Sequence, residues 1–328
     1  MIILRTTMQT SMPSFLAASV LALALGTISP ALAQTKLVIG QVSRTATNWP
    51  HFVAGAQGLF KAENLTIQTE YVGNVATIAQ QVVGGSLDIG NTTFEIVVQA
   101  VESGAPIMLI GSTVIKYPYT MLSAKDVKTA ADIKGKKVML PVPKNDIANF
   151  FESWLRANGV KSADVDKIYD GSSTNRYAAL TTGAVSAAAV TSPLDFMGET
   201  AGFNKLIDFA SFVKAYGFVG IIARKDWLAR NRPATEAYLR AVSKATDWLY
   251  DPANKEAAIV LLMREAKQDR VISEKTYKYL VEDLKAFSPK LTIPDADFNN
   301  VLKAFQDMGV VKAKDAAKNK YVDLSFLK

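Results

Sequence analysis

Apolar runs typical of buried β-strands alternate with amphipathic stretches typical of α-helices through the first two-thirds of the chain. The pattern predicts strands at residues 36–42, 65–71, 87–90, 106–114, 138–140, 165–169 and 187–190. It predicts helices between them, at residues 50–63, 76–83, 93–102, 146–158, 176–182 and 193–200. Pro50 suits the first turn of the first helix, and Asn48 suits its cap. This alternation favours an α/β fold with a largely parallel sheet.

The last third of the chain, from Trp227 onward, has a helical pattern instead. Helices are predicted at residues 233–250, 255–265, 274–286 and 297–308. Pro289 and Pro294 separate the last two, because proline does not continue a helix. We therefore expect an α/β body followed by a helical tail.

Two stretches of the chain, residues 81–92 and 179–191, correspond to each other. Each reads as a helix, a glycine suited to the left-handed residue that ends a helix, and a short strand of small residues ending in polar ones. Such a match arises by chance in some α/β proteins. The alternative is a pair of lobes of similar plan, each presenting its strand ends to a shared cleft.

Residues 1–33 have the pattern of a cleavable export signal. Arg5 supplies the positive start, residues 15–28 are apolar, and residues 30–33 offer small side chains for cleavage near Ala33. The apolar run is shorter than the roughly 20 residues that span a bilayer. We expect a mature, soluble protein that begins at Gln34.

The chain contains no cysteine, which excludes disulfide scaffolds, thiol catalysis and cysteine-ligated metals. It also excludes a lipid anchor at the cleavage site. An exported protein of this kind is expected in the periplasm. The net charge of +7 is spread among mixed charges without the basic runs typical of nucleic-acid binding.

Four passages resemble periplasmic substrate-binding proteins of ABC importers, of the nitrate, sulfonate, taurine and thiamine-precursor type. They are the first loop and helix at residues 48–60, the glycine-rich strand entry at 84–90, the motif Asp-Ile-Lys-Gly-Lys-Lys-Val within 131–138, and residues 222–228. Their order and spacing carry the resemblance. Ser186 stands where relatives usually have an acid, and we expect that position to be structural.

The resemblance implies an α/β fold of the type II periplasmic-binding-protein class with two lobes. Lobe one would comprise residues 34–121 and 218–328, and lobe two residues 122–217. Crossover strands near residues 121–124 and 218–223 would form the hinge. A monomer would capture a small organic solute between the lobes and deliver it to a membrane permease.

Loops that follow strands and enter helices are the expected ligand contacts, because ligands bind beyond the carboxyl ends of strands. Helix N-termini there suit anionic groups. The candidate ligand-binding residues are Arg44, Asn48, Trp49, His51, Gly73, Asn74, Thr92, Thr93, Tyr117, Asn145, Asn175, Arg176, Thr191 and Asp195.

Each candidate has a structural alternative. Trp49 either stacks on the ligand or belongs to the core, and Tyr117 either lines the cleft or packs an edge loop. His51, the only histidine, is a ligand contact or an ordinary residue of a first helical turn, and it lacks partners for a metal site. Asp195 binds a ligand cation or caps its helix.

The remaining polar candidates also have capping alternatives. Gly73 and Asn74 offer a backbone approach, or Asn74 caps a helix. Thr92 and Thr93 either bind ligand or cap. Asn145, Asp146 and Asn149 begin a helix that one of them caps.

The two arginines favour an anionic solute, because a guanidinium binds carboxylate or sulfonate in a bidentate manner. The nearby aromatic residues favour an organic one. No catalytic set, metal site or cofactor motif is evident in the sequence.

Two other functions stay open. One is a sensor that docks to a membrane receptor instead of a permease. The other is an enzyme of the thiamine-pyrimidine type on the same fold, which the absence of cysteine and the export signal disfavour.

Overall fold

The structure is a computed structural model that describes residues 34–143, 145–211, 213, 215–312 and 317–327. Residues 34–328 form one compact unit. The predicted export signal lies outside the described residues. Among the helices of the described part, none has the length and apolar character needed to cross a membrane.

Two five-stranded mixed sheets organise the unit. The first has the strand order β2-β1-β3-β10-β4. Strand β1 pairs in parallel with β2 and β3, whereas β10 runs antiparallel to β3 and β4. Its strands are β1 (Thr35–Gln41), β2 (Leu65–Tyr71), β3 (Ile89–Thr93), β4 (Ile107–Val114) and β10 (Val219–Arg224).

The second sheet has the order β7-β6-β8-β5-β9. Strand β6 pairs in parallel with β7 and β8, and β5 runs antiparallel to β8 and β9. Its strands are β5 (Tyr119–Ser123), β6 (Lys137–Leu140), β7 (Asp166–Tyr169), β8 (Ala187–Thr191) and β9 (Asn204–Asp208).

Helices follow most of the strands and cover the sheets. Those between the first and last strands are α1 (Trp49–Ala56), α2 (Leu59–Ala62), α3 (Val75–Gly84), α4 (Phe94–Glu102), α5 (Asp146–Ala157), α6 (Ser173–Thr181) and α7 (Leu194–Thr200). Those after β10 are α8 (Lys225–Arg230), α9 (Arg232–Tyr250), α10 (Lys255–Ala266), α11 (Arg270–Tyr277) and α12 (Asp295–Asp307).

The chain passes from the first sheet to the second between β4 and β5, and returns between β9 and β10. We call the first sheet with its helices lobe one and the second sheet with its helices lobe two. These two crossings explain why the sheets are mixed and not largely parallel, since β5 and β10 run against their neighbours. The exact lobe limits stay a prediction.

Local differences from the predicted elements have local causes. The helix predicted at residues 50–63 is two helices, because Gly58 adopts a left-handed conformation with φ of 67° between them. Strand β9 was not predicted. The helix predicted at residues 274–286 begins earlier, at Arg270, and continues beyond Tyr277 as a wider π-helical turn, Lys278–Asp283.

The C-terminal segment closes one edge of the first sheet. The backbone N–H of Leu109 in β4 donates to the carbonyl of Tyr321 at 2.8 Å, and the N–H of Asp323 donates to the carbonyl of Leu109 at 2.9 Å. The Tyr321 side chain is fully buried and packs on Phe298 of α12. The helical tail is therefore part of the core of lobe one.

Candidate functional site

A small cavity of about 50 Å³ lies between the two sheets. Its walls come from the loops and strand ends of both lobes, and most of its polar groups are hydroxyls and amides. Lobe one contributes Gln41, Val42, Ser43, Thr45, Thr47, Asn48, Val75, Asn91, Thr92, Thr93, Phe218 and Val219. Lobe two contributes Tyr119, Gly171, Ser173 and Thr191.

Four helices begin at this cavity. Asn48 precedes α1, Val75 is the first residue of α3, Thr93 precedes α4 and Ser173 is the first residue of α6. A helix N-terminus carries a partial positive charge and free N–H groups, which attract negative charge. The helix starts contribute partial positive charge to this cavity, and no arginine or lysine is among its described lining residues.

Gln41 is a buried polar residue of this cavity whose amide oxygen has no hydrogen-bond partner among the described residues. It is the last residue of β1, its side chain is 2% exposed, and none of the described residues hydrogen-bonds its Oε1. A buried amide without a partner lowers stability by about 1–3 kcal/mol. Such a group at a cavity wall is suited to a ligand.

A second cavity of about 20 Å³ continues from the first. It shares five lining residues with the first cavity, which are Val75, Thr93, Tyr119, Gly171 and Phe218. It adds Glu95, from the first turn of α4, and Asp146, the first residue of α5. We call this part of the site the acidic end.

Glu95 and Asp146 come from different lobes and interact directly. Burial raises the pKa of both carboxyl groups. The charge of Glu95 and a hydrogen bond to it raise the pKa of Asp146 further, well above its usual range. A hydrogen bond joins the two carboxyl groups, and burial favours their neutral forms.

The lobes are in close contact beside the cavity. The N–H of Ala46 in lobe one donates to the carbonyl of Ser192 in lobe two at 3.2 Å. Gly171 of lobe two approaches Asn74 so closely that a Cβ there would lie 2.9 Å from Asn74 Nδ2 and 3.2 Å from its Cα. A side chain at residue 171 would hold the lobes apart.

Five predicted site residues line the two cavities. They are Asn48, Thr92, Thr93, Thr191 and Asn145. Several of these also hold the local backbone. Asn48 Nδ2 donates to the Ser43 carbonyl, and Thr92 Oγ1 donates to the Val75 carbonyl at 2.8 Å.

Three predicted residues, together with Asn145, have positions that the local backbone explains. Asn74 caps α3 by accepting from the N–H of Ala76 at 2.8 Å, and Asn145 caps α5 in the same way. Gly73 adopts a left-handed conformation with φ of 80° immediately before Asn74. Asn175 donates to the carboxylate of Asp170 at 3.1 Å.

Neither predicted arginine lines the two cavities, and the anion clamp expected of them stays a prediction. Arg44 is half-exposed, pairs with Glu265 at 3.0 Å and lies over the Tyr71 ring. Arg176 is fully buried and donates to the carbonyls of Ala189 and Asp170 and to Ser173 Oγ. Its guanidinium supports the loops of lobe two behind the cavity.

The remaining four predicted residues are in the interior and line neither cavity. Trp49 is fully buried with its ring edge against Tyr277. His51 Nε2 bonds Thr69 Oγ1, and its ring lines a groove on another face of lobe one. Tyr117 packs among aromatic rings.

Asp195 is the fourth of these, and its carboxylate holds the start of α7. It accepts from Ser192 Oγ at 2.8 Å and from the N–H of Phe196 at 2.9 Å. Burial raises the pKa of this carboxyl to about 6, against the lowering effect of those two hydrogen bonds. These hydrogen bonds account for the position of Asp195, and its role as a ligand contact stays a prediction.

The sequence did not single out Gln41, Glu95 or Ser173. Gln41 could have been found as the polar residue beside the end of the strand predicted at 36–42, because ligands bind beyond such ends. Glu95 had no such signal, since an acid in a first helical turn is ordinary. Among the described residues, no group of three metal-ligating side chains occurs.

A family model described as NMT1/THI5 like matches residues 46–255 of the chain. No curated protein matches the sequence.

Solved structures share the fold at low sequence identity. The periplasmic nitrate-binding protein NrtA of Synechocystis PCC 6803 is 17% identical, with a TM-score of 0.73 over 89% of this chain and 87% of that one. The alkanesulfonate-binding protein SsuA of Xanthomonas axonopodis pv. citri, bound to MOPS, is 16% identical, with a TM-score of 0.69 over 88% and 98%. The periplasmic aliphatic sulphonate binding protein SsuA of Escherichia coli is 20% identical, with a TM-score of 0.66 over 88% and 92%.

These likenesses confirm the predicted fold class. The chain has the two-lobed α/β architecture of periplasmic binding proteins, with a helical C-terminal region.

Proposed function

The chain belongs to the NMT1/THI5-like family, and we propose that it is the periplasmic solute-binding component of an ABC import system. In this proposal it captures a small organic solute between its lobes and delivers it to a membrane permease. It carries out no chemical reaction on that solute.

One observation supports the proposal above others: both lobes contribute polar side chains to one cavity. A solute that touches both lobes binds the closed arrangement better than an open one, and shifts the balance by that difference in affinity. The solved structures of similar fold include a nitrate-binding and two sulfonate-binding proteins.

We propose that the solute has an anionic group held at the helix starts, not by arginine. Helices α1, α3, α4 and α6 direct their N-terminal ends to the cavity, and hydroxyls such as those of Ser173 and Thr191 lie among them. Sulfonate and carboxylate oxygens accept hydrogen bonds from such donors. The cavity volume favours a solute of few heavy atoms.

The proposal is tested by thermal unfolding of the full chain with short sulfonates and carboxylates. A ligand that binds only the folded protein at 100 times its Kd stabilises it by about 2.7 kcal/mol. The variants Gln41→Leu and Thr191→Val remove one polar group from each lobe, and both are expected to lose this stabilisation.

The controls are Gln68→Leu and Thr66→Val, which alter the exposed face of β2. They are expected to keep the stabilisation. If the Gln41 and Thr191 variants bind as the parent does, the solute does not lie between the lobes.

A further inference from the structure

We propose that the carboxyl groups of Glu95 and Asp146 form a pH-sensitive latch between the lobes, in which one shared proton holds the closed arrangement and its loss favours opening. The inference rests on the proposed function, because it concerns closure of the same two lobes over the same cavity. It adds a control on closure that depends on the protonation of this protein's own side chains and not on which solute is bound.

The latch is a contact between a helix start of each lobe. Glu95 lies in the first turn of α4 in lobe one, and Asp146 is the first residue of α5 in lobe two. Their side chains are 2% and 3% exposed, and both line the acidic end of the cavity. A hydrogen bond joins the two carboxyl groups. This bond therefore requires the two lobes to be together.

The hydrogen bond between the two acids also requires a proton. An ionised carboxylate accepts hydrogen bonds and cannot donate one, whereas a protonated carboxyl group has one O–H donor. No N–H or hydroxyl group of the described residues donates to Glu95 Oε2 or to Asp146 Oδ2. If both groups were ionised, two like charges would face each other in a buried place, which is unfavourable. Loss of the proton therefore converts an attraction between the lobes into a repulsion.

The ionisable groups nearest the pair do not supply a compensating charge. Tyr119 and Tyr216 interact with the carboxyl charges, and burial raises the pKa of both phenols, so both stay neutral. Arg176 lies near the Tyr119 ring and donates to carbonyls of lobe two. No described lysine or arginine is among the causes that shift the pKa of either acid.

The other charged groups on α4, α5 and the elements packed against them have partners of their own. Helix α3 and strands β3 and β4, which pack on α4, carry no charged residue. The ion pairs on the remaining elements are Glu102 with Lys320, Glu152 with Lys167, Arg224 with Asp226, Asp295 with Lys318 and Lys303 with Asp307. Asp297 of α12 interacts with Lys116, and Arg156 of α5 donates to Ser153.

The shared proton links closure to pH. In water the separated carboxyl groups have their ordinary pKa values of 4.5 and 3.8, whereas burial raises both values in the closed arrangement. The closed form therefore binds a proton that the open form has released. The contribution of the pair to closure is present below the ordinary values and is lost as the pH rises through the raised ones. The ratio of closed to open protein falls by up to about tenfold per pH unit in that range.

The test follows the lobes in the empty protein, so it needs no solute. The chain contains no cysteine, and the exposed positions of Thr66→Cys on β2 and Lys137→Cys on β6 place one spin label on each lobe. Pulsed electron paramagnetic resonance on the full chain measures the distance between the labels from pH 5 to pH 8. Two populations are expected, and their ratio is expected to change by about tenfold or more, with the closed one favoured at pH 5.

The double variant Glu95→Gln with Asp146→Asn removes both titrations and keeps a hydrogen bond between two amides. It is expected to show the same ratio of populations at every pH. The matched control, Glu70→Gln with Asp166→Asn, alters exposed strand residues and is expected to respond to pH as the parent does.

Both double variants keep His51 and Asp195, whose own titrations are therefore the same in the two proteins. Thermal unfolding shows whether each variant is folded. If the double variant does not fold, Glu95→Gln alone takes its place, because its amide N–H can donate to the Asp146 carboxylate without a shared proton. It is expected to flatten the pH response.

The possible failures are distinguishable. A parent ratio that stays constant from pH 5 to pH 8, or a response to pH that survives removal of the acids, contradicts the latch and leaves solute capture standing. If the latch responds as expected but no short sulfonate or carboxylate stabilises the folded protein in the thermal screen, the proposed function is contradicted for such solutes and the latch stands.

Discussion

His51 Nε2 lies 2.9 Å from Thr69 Oγ1 inside lobe one, and its ring packs against Phe60 and Tyr238. The other ring nitrogen, Nδ1, has no hydrogen-bond partner among the described residues. Burial lowers the pKa of this imidazole to about 4 from an unfolded value of 6.5. The folded protein therefore holds His51 neutral at pH values where the unfolded chain would protonate it.

This histidine is expected to make the protein less stable as the pH falls. Its contribution is present above pH 6.5 and is lost as the pH falls towards 4, because the unfolded state binds the extra proton. Between pH 7 and pH 5 the loss is about 2 kcal/mol. Urea unfolding of the parent and His51→Gln at both values measures it, and an equal pH dependence in the two proteins would contradict the assignment.

Asp195 is expected to make the protein less stable as the pH rises. Its folded pKa of about 6 is raised above the unfolded value of 3.8 by burial. Its contribution to the free energy of unfolding is present below pH 3.8 and is lost as the pH rises through 6. The reason is that the folded protein keeps this carboxyl protonated at pH values where the unfolded chain has lost the proton. From pH 4 to pH 7 the loss is about 2 kcal/mol.

The variant Asp195→Asn tests whether Asp195 lowers the stability of the protein as the pH rises. Asparagine keeps a partner for Ser192 and for the start of α7, and it removes the titration. The difference in unfolding free energy between parent and variant is expected to change in favour of the variant as the pH rises. A difference that stays constant from pH 4 to pH 7 is not compatible with a buried, titrating Asp195.

Arg176 is expected to matter for stability and not for anion recognition. Its replacement by methionine leaves the carbonyls of Asp170 and Ala189 without their donors in a buried place. We expect a loss of about 3 kcal/mol in unfolding free energy. The matched variant Arg44→Met breaks an exposed pair and is expected to lose less than about 1 kcal/mol.

Chemical unfolding measures both arginine variants. An Arg176→Met protein of parental stability that no longer binds any anion would restore the guanidinium as the anion clamp.

Gly171 is expected to control contact between the lobes. Its backbone is not in the left-handed region, so alanine suits its conformation, but a Cβ there would meet Asn74 of the other lobe. Gly171→Ala should therefore weaken solute binding about tenfold or more while unfolding of the empty protein changes by less than about 1 kcal/mol.

Gly55→Ala is the matched control, because a Cβ at Gly55 meets no atom within 4 Å and its helix gains from alanine. Calorimetry with a solute found by the thermal screen compares the two. Parental affinity in Gly171→Ala would show that closure does not depend on this approach.

The periodicity of the chain predicted most elements because burial of one helix face or one strand leaves a regular pattern. It missed β9, whose residues Asn204–Asp208 are only partly buried at a sheet edge and so carry little apolar signal. It also placed one helix across Gly58, whose backbone conformation interrupts it. These are differences of local geometry within a correctly predicted architecture.

The candidate site was harder to predict because it forms where loops that are distant in the sequence come together in the fold. The sequence does not indicate whether an arginine contacts a ligand, as was expected of Arg176. In the structure the guanidinium of Arg176 donates to a backbone carbonyl instead. Trp49 is similar, since its ring is buried in the core. Glu95 and Asp146 become a pair only when the two lobes are brought together, and no spacing along the chain shows that.

The hydrogen bonds between Leu109 and the segment around Tyr321 have a consequence for colloidal behaviour. Strand β4 is the outer strand of its sheet and is buried along its whole length. An uncovered outer strand of that kind offers its free amides and carbonyls to other polypeptides, which is a common route to aggregation. The tail of this chain occupies that position itself, so pairing of this sheet edge with a second copy of the chain is disfavoured.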